Sequence, residues 1–167
     1  QAMTNVHPAE VLRAVNRIIS ADISEDLFVT VLYMVLHLDT RELSIARAGH
    51  ERPLLFWAGQ TAAPIDSPGV AIGLMPVPVF ERQLNEVTVP LRPGDLVVGY
   101  TDGITEALNA SGEEWGAERF MDTLRDYSPL GPTKLLENVR HRLRLHVGAQ
   151  PQSDDMTFLA IGFTEEP

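Results

Sequence analysis

Gly94-Asp95-Leu96-Val97-Val98-Gly99-Tyr100-Thr101-Asp102-Gly103-Ile104-Thr105-Glu106-Ala107 and Ser153-Asp154-Asp155-Met156-Thr157-Phe158-Leu159-Ala160 decide how this chain is read. In the first stretch a strand-like apolar run ends on a carboxylate; in the second a pair of carboxylates precedes such a run. If the two strands lie side by side and antiparallel, their polar ends meet at one edge of a sheet. The excursion between them is long enough for two or three helices. Carboxylates that converge from distant strand ends, without enough neighbouring Lys or Arg, need a hard cation between them. The pattern points to Mg²⁺ or Mn²⁺.

Composition narrows the class. At 167 residues and 44% hydrophobic content the chain can bury one substantial core, and residues 1–167 are most simply one domain. A formal charge of −10 argues against a nucleic-acid partner, which needs a basic face. With no cysteine, disulfides, thiolate zinc sites and a cysteine nucleophile are excluded, and a reducing cytoplasm fits. The apolar run Leu27 to Leu38, broken by Thr30 and His37, is too short to span a bilayer and rich in β-branched residues, so it reads as a buried strand. No membrane segment or signal peptide is visible.

Outward from the two decisive stretches, residues 8–20 read as an amphipathic helix, with Pro8 in its first turn and Val11, Leu12, Val15, Ile18 and Ile19 at helical spacing. Leu27–Asp39 and Glu42–Ala48 read as a hairpin with its tip at Asp39-Thr40-Arg41, and Arg52–Ala58 as a third strand after the Gly49-His50 turn. Residues 59–78 are dense in Gly and Pro and read as a long surface loop. Val79–Leu91 reads as a strand, Arg92–Asp95 as a turn, Leu96–Thr101 as a short buried strand and Ile104–Ala110 as a short helix. Helices over about 117–127 and 132–147 follow, the second with Leu135, Leu136, Val139, Leu143 and Val147 on one face, and Met156–Phe163 closes as a strand. The layers are α+β with mainly antiparallel strands.

The sequence resembles the SpoIIE/RsbU branch of the metal-dependent (PPM) protein serine/threonine phosphatases along almost its whole length. His7-Pro8-Ala9-Glu10-Val11-Leu12 through Asn16, Phe28-Val29-Thr30, Ala48-Gly49-His50-Glu51-Arg52-Pro53 and Gly73-Leu74 follow in family order. Leu91-Arg92-Pro93-Gly94-Asp95, Tyr100 through Ala107, Gly112-Glu113-Glu114-Trp115-Gly116 and Asp154-Asp155-Met156-Thr157 complete it. There is one extra residue before Pro53, and Trp115 replaces a family Phe. The resemblance implies two mainly antiparallel β-sheets packed face to face and flanked by helices, an αββα sandwich. It implies hydrolysis of phosphoserine or phosphothreonine by water activated between two Mn²⁺ or Mg²⁺ ions, without a covalent intermediate. Asp102 and Asp154 are then ligands of one ion. Asp155 lies behind Asp154, fixing it or a bound water, and Gly103 gives the turn after Asp102. Further implications are a phosphoprotein substrate such as an anti-sigma-factor antagonist, an upstream sensory or regulatory domain, and a place in bacterial signal transduction.

Two family motifs, "G-D-x-Y-D" and "D-V-x-G-H-G", are missing from these residues, and the matching region begins just downstream of where they would end. The expectation is that these N-terminal strands, with the aspartate that bridges the ions, precede Gln1 in the parent protein. This chain alone is then inactive, and its unpaired sheet edges make it prone to dimerise. Two rivals stay open: a non-catalytic binding module on the same scaffold, and an acidic α+β interaction domain without metal. Single residues have plain readings too. Asp102 could cap a helix, with Glu106 in its first turn, and Asp154-Asp155 could be a solvated turn. His50 sits in a turn where a general-acid role competes with a structural one. The basic run Arg140, Arg142 and Arg144, with His141 and His146, reads as a solvated helix face or a docking patch for an acidic partner. Trp57 and Trp115 read as packing anchors.

Overall fold

The computed structural model describes residues 7–24, 27–57 and 62–164. Along the chain run α1 (Pro8–Ile19), β1 (Val31–His37), β2 (Glu42–Ala48), β3 (Leu54–Phe56), β4 (Ala63–Pro64) and α2 (Val77–Gln83). They are followed by β5 (Glu86–Pro90), β6 (Leu96–Tyr100), a 3-10 turn at Asp102–Ile104, α3 (Gly116–Tyr127), a second 3-10 turn at Ser128–Leu130, α4 (Pro132–Val147) and β7 (Phe158–Gly162). Two compact units result: Gln1–Arg52 with Asp66–Leu91, and Pro53–Ile65 with Arg92–Pro167. Each holds one antiparallel sheet, so the α+β class with two antiparallel sheets and helices is what the chain adopts.

In the first unit, β1 and β2 pair from Val31↔Ala48 to His37↔Glu42, and β5 lies on the other side of β2. Ala9 and Leu12 of α1 join Ala46, Ala48, Ile72, Phe80 and Leu84 in a buried apolar cluster. Glu86 steers the helix start, its carboxylate accepting from the Ala9 N–H at 3.1 Å, where negative charge suits the helix dipole. Farther along α1, Asn16 is fully buried; its Oδ1 accepts from the Gly73 N–H at 3.1 Å and from the Ser20 hydroxyl at 3.1 Å. Its Nδ2 has no hydrogen-bond partner among the described residues.

In the second unit the strand order is β4-β3-β6-β7. Leu96, Val97, Val98 and Gly99 of the inner strand β6 are all buried, which accounts for the unbroken apolar run in the sequence. Leu54, Phe56, Val98, Ile104, Trp115, Phe120, Leu124, Leu135 and Val139 form the core that α3 and α4 share with the sheet. Phe120 is its aromatic hub, with ring centroids 4.7 Å from Tyr100, 5.7 Å from Trp115 and 6.2 Å edge-on from Phe158.

Several expected boundaries and elements differ. The first hairpin strand begins at Val31, not Leu27: its partner β2 ends at Ala48, Gly49 turns away at φ +71°, and Leu27, Phe28 and Val29 are exposed with one bridge, Val29↔Ile72. The third strand shortens to Leu54–Phe56, the length its partners cover, while Ala58 falls outside the described residues. Of the expected surface loop, residues 59–61 are outside the description. The remainder contains β4 and buries Ile65, Ser67, Ala71 and Ile72. Arg47 makes this possible by donating from Nε to the Ser67 carbonyl at 2.8 Å, which gives a buried backbone acceptor a partner. The expected strand at Val79–Leu91 is α2 followed by β5: proline occupies the first helical turn, and Phe80 and Leu84, four residues apart, are both fully buried.

No helix forms over Ile104–Ala110. Asn109 competes with it, its Oδ1 accepting from the Ser111 N–H at 2.9 Å and the Glu113 N–H at 3.0 Å, and the chain doubles back so that Trp115 N–H reaches the Ala107 carbonyl at 2.8 Å. Ile18, expected on the buried face of α1, is 68% exposed, and Trp57 is 37% exposed rather than a packing anchor; Trp115 is buried. Phe120→Ala is expected to cost about 3–5 kcal/mol in urea unfolding, since it opens a void under α3 that neighbouring rings cannot fill. The outer edge of β7 has no strand partner among the described residues, so light scattering of the isolated chain is expected to show concentration-dependent association. A monomer at all concentrations would refute this.

Candidate metal centre

The second unit brings the two quoted stretches together. β6 and β7 pair in register from Leu96↔Gly162 to Tyr100↔Phe158. The ladder then continues past both strands. The Thr101 N–H donates to the Thr157 carbonyl at 3.1 Å, and the Thr101 hydroxyl accepts from the Thr157 N–H at 2.8 Å while donating to the Asp155 carbonyl at 2.8 Å. Asp102 follows at once. Gly103 then presses on the facing loop: a Cβ there would lie 2.6 Å from the Asp155 carbonyl oxygen and 3.3 Å from the Asp154 Cβ. Only a residue without a side chain allows that approach, so the backbone carrying Asp102 lies directly against Asp154-Asp155.

Each carboxylate uses one oxygen locally. Asp102 Oδ1 accepts from the Gly103 N–H at 3.0 Å, and Asp154 Oδ1 accepts from the Asp155 N–H at 2.7 Å. Both side chains, and that of Asp155, are exposed, and among the described residues none forms an ion pair with Lys or Arg. The helix-cap reading of Asp102 does not hold: Thr101 occupies the cap position, and among the described residues the Asp102 side chain bonds only the next N–H. Glu106 is exposed, with its N–H on the Asp102 carbonyl at 2.9 Å.

Oxygen donors of this kind suit Mg²⁺ or Mn²⁺. Mg²⁺ keeps several waters and is held by one or two carboxylates, so the exposed oxygens of Asp102 and Asp154 are of the donor type such a site uses. Among the described residues no group of three His, Asp or Glu side chains gathers anywhere. His50 belongs to the first unit, with Nδ1 3.2 Å from the Glu51 carbonyl oxygen. His37 lies 3.2 Å from the Ser44 hydroxyl, His7 3.2 Å from Glu86 and His146 3.0 Å from the Glu113 carbonyl, so the histidines are dispersed. Sequence reasoning gave no role to Thr101, Thr157 or Gln152, whose Nε2 donates to the Asp154 carbonyl at 2.7 Å. The available signal was a threonine beside each acidic stretch, at positions that antiparallel pairing places opposite one another.

Comparison with known proteins identifies the family and the fold. The sequence model of the Stage II sporulation protein E (SpoIIE) family matches residues 1–164, and the chain belongs to that family. Protein IcfG of Synechocystis sp. is 30% identical over 136 residues, 81% of this chain and 20% of that protein. Phosphoserine phosphatase RsbU of Bacillus subtilis is 26% identical over 111 residues, 65% of this chain and 32% of RsbU. The chain thus spans between a fifth and a third of the length of these relatives. Among solved structures, the SiaA-PP2C domain of Pseudomonas aeruginosa superposes with a TM-score of 0.79 at 24% identity, covering 94% of this chain and 61% of that one. The catalytic domain of the serine/threonine phosphatase PstP, in complex with two manganese ions, gives 0.66 at 15% identity, covering 99% and 75%. The fold is that of a PP2C-type phosphatase domain of the SpoIIE/RsbU type.

Because Gly103 has no room for a side chain, Gly103→Ala is expected to push the 154–155 loop away and break the Thr101–Asp155 bond. Hydrogen exchange at the Thr157 amide should accelerate about tenfold or more. Unchanged protection would mean the two loops are not coupled.

Proposed function

We propose that this chain is the C-terminal, Asp102/Asp154-bearing portion of a metal-dependent protein phosphatase domain that hydrolyses phosphoserine or phosphothreonine on a bacterial regulatory phosphoprotein, such as an anti-sigma-factor antagonist. The observation that carries this reading is the close approach of the Thr101–Gly103 and Asp154–Asp155 backbones, which sets two carboxylates at one sheet edge. Family membership supports it, as do the name of RsbU and the manganese ions of PstP.

Asp102 and Asp154 would hold a Mn²⁺ or Mg²⁺ ion, with a second expected in the complete domain. A divalent ion there supplies acidification of water and neutralisation of phosphoryl oxygens. The chain's own residues orient and confine. Gly103 lets the loops meet, Thr101 locks their separation, and Asp155, whose N–H is bonded to the Asp154 carboxylate, fixes the direction of that ligand. This reading calls for a further, bridging aspartate outside the residues described and for a regulatory domain as partner. Among the described residues no helix is long and apolar enough to cross a membrane. The rival reading, a non-catalytic module on this scaffold, draws on the lack of a third clustered carboxylate among the described residues.

Asp102→Asn in the intact parent protein is expected to lower Mn²⁺-dependent hydrolysis of a phosphoserine protein by orders of magnitude without lowering the unfolding midpoint. Near-normal turnover would remove Asp102 from the site. No turnover by the well-folded parent itself would favour the module.

A further inference from the structure

The last rung between β6 and β7 is irregular, and one side chain makes it so. Facing residues of an antiparallel pair that are in hydrogen-bonding position exchange both N–H···O bonds. Thr101 and Thr157 face one another in the register that runs from Leu96↔Gly162 to Tyr100↔Phe158, and the Thr101 N–H donates to the Thr157 carbonyl at 3.1 Å. The return bond goes elsewhere. The Thr157 N–H donates to the Thr101 hydroxyl at 2.8 Å, while the Thr101 carbonyl accepts from the Ile104 N–H at 3.1 Å and so opens the 3-10 turn that carries Asp102.

The hydroxyl thus stands in for a carbonyl in the sheet. Thr101 stays extended, at φ −95° and ψ 152°, while its carbonyl already belongs to the turn. The same hydroxyl donates its proton to the Asp155 carbonyl at 2.8 Å, so it engages the two backbone groups on either side of Met156. Beyond it, the Asp102 carbonyl accepts from the Glu106 N–H at 2.9 Å and from the Thr105 hydroxyl at 3.0 Å. The Asp102 backbone is therefore held from the turn side, and the direction in which it leaves the strand is set at Thr101. Valine has the same branched shape without the hydroxyl. In its place, the Thr157 N–H and the Asp155 carbonyl lose their protein partner, or the residue 101 carbonyl is drawn back into the sheet and the turn is undone.

We propose that Thr101 is a positioning residue for the carboxylate pair. Through its hydroxyl, and without touching cation or substrate, it fixes the direction of Asp102 relative to Asp154 and thereby the affinity of the pair for a divalent cation. This rests on the metal-dependent reading above and adds to it the side chain that prepares the site before an ion arrives. Exposed carboxylates already held in place lose little freedom on binding, whereas loosely held ones must be ordered by the ion.

The test compares Thr101→Val with Thr101→Ser in the intact parent protein. Mn²⁺ binding is measured by isothermal titration well below each melting temperature, and amide exchange is followed at Thr157 and Ile104. Thr101→Val is expected to weaken Mn²⁺ binding about tenfold and to speed Thr157 exchange by a similar factor, the effect of losing two hydrogen bonds. Thr101→Ser keeps the hydroxyl and is expected to stay within about threefold of the unsubstituted protein in both measurements. Should Thr101→Val not fold, Thr101→Ala is compared with Thr101→Ser by the same criteria. A residue needed only for stability would lower the melting temperature and leave the Mn²⁺ affinity of the folded protein unchanged, and that result overturns the proposal. Unchanged Thr157 exchange in Thr101→Val, or failure of Thr101→Ser to keep the affinity, overturns it as well. Mn²⁺ binding that depends on the hydroxyl, without phosphoserine hydrolysis by the parent, would remove the phosphatase reading alone. Hydrolysis with an Mn²⁺ affinity indifferent to the hydroxyl would remove the positioning role alone, and a folded parent that binds no Mn²⁺ would remove both.

Discussion

The rung between Thr101 and Thr157 governs how close the two carboxylate loops come, and its position is set by apolar burial farther down the strands. In β6, Leu96, Val97 and Val98 are enclosed, and they pair with Gly162, Ile161 and Ala160 of β7. Slipping that register by one residue would turn each side chain of β7 to the opposite face of the sheet, so packing forbids the slip. With the register fixed, the threonines beyond Tyr100 and before Phe158 must face one another. Asp102 and Asp154 then emerge on neighbouring turns. A polar site is thereby positioned by the core of the sheet that supports it, and the glycine after Asp102 closes the remaining gap.

Elements with a single dominant pattern were legible in the sequence. α1, α3 and α4 have apolar residues at helical spacing with proline or glycine at their ends, β2 sets Leu43, Ile45, Ala46 and Ala48 among polar residues, and β6 is a continuous apolar run; these match their expected spans within a residue or two. The convergence of the two acidic stretches was legible as well, because an apolar run that abuts a carboxylate marks a strand end. Less legible was the segment from Gly59 to Leu91. Its prolines suggest open loop, yet Pro78 initiates a helix there, and the buried Ser67 and Ile72 depend on partners as remote in sequence as Arg47 and Val29. The helix expected after Asp102 failed for a local reason, since the Asn109 side chain turns the chain at Ser111 and Glu113 and the returning Trp115 and Gly116 amides take the Ala107 and Thr105 carbonyls.

Charge is distributed so that the acidic site stays unneutralised. Lys134 pairs with Glu137, Arg125 with Asp122, and Arg13 with Glu10, each within one helical turn, where such exposed pairs add little stability. None of these pairs draws a cation toward Asp102 or Asp154. Arg140 and Arg144 of α4 instead border an apolar groove in the second unit. A negative pole and a positive rim therefore sit on the same unit, joined by the loops at Ile104 and Met156.

Asn16 gives α1 a property that its apolar stripe alone would not. The side-chain oxygen fastens the helix to the backbone at Gly73, while its enclosed amide nitrogen has no hydrogen-bond partner among the described residues. A buried donor left in that state costs about 1–3 kcal/mol. The cost falls within a seat otherwise made by Ala9 and Leu12 against Ala46, Ala48, Ile72, Phe80 and Leu84, which hold α1 in place. Asn16 thus ties the C-terminal end of α1 and the turn at Gly73 to one side-chain oxygen, so both anchors share a single acceptor.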